Sequence, residues 1–104
     1  MIDFSPQAIE PNYKKMGSDQ KRICKEMVND GLVISVVMDH SDNTEDITMM
    51  DIAGENYHRK LERWFLNSLG KRGFLHQQVW HPSLQATIVQ FTLKDEVKEF
   101  FKTK

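Results

Sequence analysis

The sequence predicts an α+β domain: a mainly antiparallel sheet of about four strands with helices on one face, in the order α-β-β-α-β-β-α. Three observations carry that expectation. Leu32–Met38 (LVISVVM) is a nearly continuous apolar run rich in β-branched residues, as in a central strand. Glu55–Leu69 sets Tyr57, Leu61, Trp64, Phe65, Ser68 and Leu69 on one face at helical spacing. Turn-forming residues then divide the remaining apolar stretches into two strand pairs.

Residues 1–17 read as an irregular N-terminal arm, because Pro6 and Pro11 leave room for about one helical turn. Phe4, Ile9, Tyr13 and Met16 would dock that arm across the core. Residues 18–104 form the single compact domain. Ser18 can cap a helix to about Asn29, with Ile23, Met27 and Val28 inward and Cys24 beside them. The run Asn29-Asp30-Gly31 ends it. Leu32–Asp39 and Asp46–Ile52 pair as a hairpin around the polar loop HSDNTED.

The next helix is expected over Glu55–Leu69, with Arg59, Lys60 and Arg63 on its solvated back and a Glu55–Arg59 pair in the favourable orientation. Gly70 stops it. Lys71-Arg72-Gly73 turns into Phe74–Trp80, Pro82-Ser83 interrupts, and Leu84–Phe91 completes a second strand pair. Thr92 opens a last helix with Leu93, Val97, Phe100 and Phe101 inward, and lysines at the C-terminal end suit its dipole.

The chain has 104 residues, 39% hydrophobic and 28% charged, ordinary values for one globular domain. One cysteine excludes an internal disulfide. No apolar run approaches the ~18–20 residues of a membrane span, and the acidic, polar start does not resemble a signal peptide. A cytoplasmic protein without membrane contact is expected. The net charge of −1 hides a segregation. Asp39, Asp42, Glu45, Asp46 and Asp51 fall in residues 31–54, which hold no Lys or Arg. Arg59, Lys60, Arg63, Lys71 and Arg72 follow at once, against Glu55 and Glu62.

No catalytic or metal-binding constellation emerges, and no cofactor is expected. The loop Asp39–Asp46 alternates oxygen ligands but lacks the glycine and distal glutamate of an EF-hand loop, so a solvated acidic tip is the plainer reading. His40, His58, His76 and His81 show no ligand spacing: His76 and His81, five apart, point to opposite faces of a regular strand. Cys24, beside a buried stripe, reads as an inert thiol. The five glycines are isolated, so no phosphate-binding loop is present.

Recognition remains. The leading expectation is a non-enzymatic protein-binding module, an inhibitor or adaptor of the kind common among phage or mobile-element accessory proteins. Arg59, Lys60, Arg63, Lys71 and Arg72 or the acidic Asp42, Glu45 and Asp46 would steer the partner, and Trp80 would anchor it. The alternative is a nucleic-acid binder using the basic helix 55–72, although the pI is only about 6.4. A sheet edge, Ile47–Ile52 or Phe74–Trp80, would allow homodimerisation, with Asp46 and Asp51 disfavouring the first.

Overall fold

A computed structural model describes residues 6–51 and 57–104, with backbone alone at Pro6, Gln7, Ala8, Tyr57 and His58. Four helices and five strands follow in order: α1 Pro6–Lys15, α2 Ser18–Asp30, β1 Leu32–Asp39, β2 Thr44–Asp51, β3 Tyr57–Lys60, α3 Arg63–Lys71, β4 Leu75–Ser83, β5 Ala86–Leu93 and α4 Asp95–Lys102. The strands make one antiparallel sheet in the order β3-β2-β1-β5-β4. The α+β class, the central position of LVISVVM and the β1–β2 hairpin therefore hold. The sheet has five strands rather than about four, and a second N-terminal helix precedes the expected first one.

That helix replaces the irregular arm. Pro11 sits at the sixth position of α1, after the first turn, yet the chain stays helical because burial of its inner face offsets the lost backbone bond. Ile9 and Met16 are buried, and Tyr13 meets Phe100 and Phe101 edge-on at centroid distances of 5.2 and 5.4 Å. The expected contacts of Phe4 and Glu55 lie outside the described residues.

Residues 55–71 depart furthest from expectation. Instead of one helix, β3 pairs with β2, Leu61 N–H donates to the Ile47 carbonyl, and α3 begins only at Arg63. Helix propensity is worth at most a few tenths of a kcal/mol per residue here. Pairing with β2 supplies ladder hydrogen bonds and places Lys60 Nζ 3.6 Å from Asp46, so tertiary structure overrides the local pattern. Shortening the helix also turns its apolar face. Phe65, Leu66 and Leu69 are buried, whereas Trp64 is 58% exposed.

The core lies between one sheet face and all four helices. Ile34, Val36, Ile47, Met49 and Leu93 from the strands join Ile23, Cys24, Met27, Phe65, Leu69, Val97 and Phe101 in one cluster with Phe74. The register explains the facing: Ile34 opposes Met49 and Phe91, and Val36 opposes Ile47 and Val89, so these residues share a side of the pleat. Gly31, at φ 63°, closes α2 with its N–H on the Met27 carbonyl, a left-handed cap that favours glycine. Two polar ties lock α3 to the N-terminal helices. Gln20 Nε2 donates to Ser68 Oγ at 3.1 Å, and Arg72 Nη1 donates to the Asn12 carbonyl at 3.1 Å.

Candidate functional site

The acidic and basic segments meet. Glu45, at the start of β2, pairs with Arg63 at the start of α3, and Asp46 pairs with Lys60 of β3. Arg59 lies 3.2 Å from Glu26 of α2. The β2–β3 pairing thus lays an acid-bearing strand beside a base-bearing one. Arg72 is turned inward towards Asn12. Of the five basic residues singled out, Lys71 alone is exposed and makes no ion pair or side-chain hydrogen bond with another described residue. They do not share one helix: Arg59 and Lys60 lie on β3, Arg63 and Lys71 on α3, and Arg72 at its C-terminal cap.

The β1–β2 turn is ordered by its own side chains. Ser41 donates through its backbone N–H at 2.9 Å and its hydroxyl at 2.6 Å to Asp39 Oδ1. Those bonds hold the Asp39 carboxyl below its ordinary pKa, because they favour the charged form. Ser41 Oγ also reaches Asp42 at 3.2 Å. Asn43 takes the left-handed conformation, φ 56°, that lets the turn close.

The structure also gathers residues that sequence spacing did not connect. His40, after β1, and His81, near the end of β4, both reach the hydroxyl of Thr87 on β5. His40 Nε2 stands 2.8 Å and His81 Nδ1 3.3 Å from Thr87 Oγ1. A hydroxyl can accept an N–H from one ring while donating its own hydrogen to the other. Together with the His40 N–H bond to the Gln85 carbonyl, 2.7 Å, this ties the β1–β2 turn to the β4–β5 hairpin. Only the strand register brings positions 40, 81 and 87 together, so no linear motif announces it. Among the described residues, no three His, Cys, Asp or Glu side chains are placed to hold a metal ion.

The hairpin so tied carries the exposed apolar surface. Trp80 on β4 is 44% exposed, and its neighbours across the sheet are Ile88 of β5 and Val37 of β1, the latter 40% exposed. These three form one row on the face away from the helices. Val79, on the opposite side of β4, is 46% exposed, and Leu84, at the hairpin turn, is fully exposed. Two shallow open grooves of about 510 Å³ each border α3, and Trp64 lines the second of them. One runs between α3 and β4 past Leu66, Leu75 and Phe91; the other is bordered by Asn12, Lys71 and Arg72.

No described helix is long and apolar enough to cross a membrane. No family model, no curated protein and no solved structure matches this chain.

Proposed function

We propose that this chain is a small non-enzymatic protein-binding module, acting as an inhibitor or adaptor in the cytoplasm, and that its contact surface is the end of the β4–β5 hairpin. One observation carries the reading. Of the five large apolar side chains exposed among the described residues, Val37 and Trp80 lie in one row on the face away from the helices, and Leu84 stands at the turn of the same hairpin. Isolated exposed apolar residues need no explanation, but a grouped set marks an interaction surface. Trp80 has the size and amphipathic ring of an interface anchor. The His40–Thr87–His81 contact pre-orders the hairpin, which lowers the conformational cost of binding.

The charged residues support this reading less than they do in the bare sequence. Arg59, Lys60, Arg63, Glu45 and Asp46 are occupied with one another or with Glu26, so their role in steering a partner is reduced. The same pairing weakens the nucleic-acid alternative, which needs a continuous basic stripe.

The experiment is an affinity capture from the native source with the wild-type chain and with the double variant Trp80→Ala/Leu84→Ser. A stoichiometric protein partner, identified by mass, should bind the first and be lost from the second, with both melting at the same temperature. Retention by the double variant would move the surface elsewhere. A gel shift in low salt serves as the counter-test. Nucleic-acid binding whose log affinity falls linearly with log salt would replace the protein-binding reading.

A further inference from the structure

The two edges of the sheet are built differently. β3 has four residues, two of them Arg59 and Lys60, and is short and charged as edge strands usually are. β4 has nine residues, LHQQVWHPS, with no Asp, Glu, Lys or Arg, and no described strand lies beyond it. Pro82 blunts only its far end.

The hydrogen-bonding phase of that edge follows from the register. Lys94 N–H donates to the Phe74 carbonyl at 2.9 Å, and the pairing runs without slip from Leu75↔Leu93 to Trp80↔Ile88. In an antiparallel ladder, alternate residues bond to the neighbouring strand and those between turn both backbone groups away. His76, Gln78 and Trp80 therefore bond towards β5, whereas Leu75, Gln77 and Val79 present N–H and C=O groups outward.

We propose that two copies of this chain pair antiparallel along β4, about a two-fold axis at Gln77, joining their sheets into one. In that register Gln77 faces the partner's Gln77, and Leu75 faces the partner's Val79. All three outward-facing residues then find backbone partners on an identical strand. The side chains agree with the backbone. Leu75 and Val79 lie on one side of the pleat and form two apolar cross-strand pairs that cover the half-exposed Val79, and no like charges are opposed. The equivalent pairing of β3 with its own copy would bring Arg59 and Lys60 against the same residues. An isologous contact of this kind closes as a dimer. This inference concerns the backbone edge and stands without the hairpin surface as a docking site.

Sedimentation at micromolar concentration should show a species of twice 12.2 kDa. Val79→Pro removes an outward N–H and no intramolecular ladder bond, so it should give a folded monomer with unchanged near-ultraviolet circular dichroism. Gln77→Cys should link two chains through a short thiol–thiol cross-linker, while Ser41→Cys on the remote β1–β2 turn should not; the native Cys24 is fully buried. The Trp80→Ala/Leu84→Ser variant should remain dimeric, which separates failure of this inference from failure of the hairpin surface. A wild-type monomer throughout the micromolar range, or cross-linking no better at 77 than at 41, would overturn the proposal.

Discussion

Trp64 and Phe65 are consecutive residues with their rings 6.0 Å apart at 80°, and they contribute to different properties. Phe65 is 2% exposed within the core cluster. Phe65→Ala should cost about 3–5 kcal/mol, a large share of a typical total of about 5–15 kcal/mol. Trp64→Ala removes a mostly solvated ring and its edge contact, so about 1 kcal/mol or less is expected. Urea melts of the two variants measure both; equal losses would mean that Trp64 is held in the core. A second residue-scale prediction concerns Cys24. Burial pushes its thiol from 9.0 up to about 12, with the Arg72 charge pulling weakly the other way. The folded state thus holds the proton more tightly than the unfolded chain does. The contribution of this protonated thiol to stability is complete below about 9 and is lost as pH rises towards about 12. Alkylation should be slow in the native protein and fast in urea, and Cys24→Ala should flatten the alkaline fall in stability relative to wild type.

At the scale of elements, the stretches that read correctly are those in which one local signal was backed by another. LVISVVM combines β-branching with a bounding Gly31 and an acidic turn, and both limits of β1 follow. The α2 terminus at Gly31 and the Val97/Phe101 stripe of α4 were legible for the same reason. Residues 57–71 were not, because two elements share one continuous helical pattern. Tyr57 and Leu61 extend a face that includes Trp64; removing them leaves Phe65, Leu66 and Leu69 as the inward set. That boundary is a long-range fact, set by the edge of β2 awaiting a partner. The site shows a parallel division. The exposure of Trp80 was legible from its place beside a turn, whereas the ion pairs of Glu45 and Asp46 depend on which strands are neighbours. Likewise β2, considered as an edge for dimerisation, lies between β1 and β3. Sequence-local charge could argue against that edge but could not show that it is covered.

For the whole molecule, the decisive addition is the N-terminal helix, which makes the core a joint product of both chain ends. α1 packs on α4, and its Tyr13 ring bridges Phe100 and Phe101 while Phe101 stands edge-on to Phe74 at 6.5 Å. Removing residues 1–16 would strip Ile9 and Met16 from the core and expose this aromatic set. Fully burying an apolar side chain of this size contributes about 1.5–3 kcal/mol, so Ile9, Met16 and the Tyr13 contacts together amount to roughly 5 kcal/mol or more. The deletion would also take the Asn12 carbonyl from the half-buried Arg72 guanidinium, a hydrogen bond to a charged group of a kind that contributes about a further 1.5–3 kcal/mol at most. Against a total of about 5–15 kcal/mol, that loss is enough to leave residues 17–104 without a cooperative fold. The shortened chain should therefore lose its near-ultraviolet circular dichroism and its sharp urea transition while retaining helical far-ultraviolet signal. A shortened chain that unfolds cooperatively within about 1 kcal/mol of the full one would make α1 an appendage. The core would then rest on the sheet and the remaining helices alone.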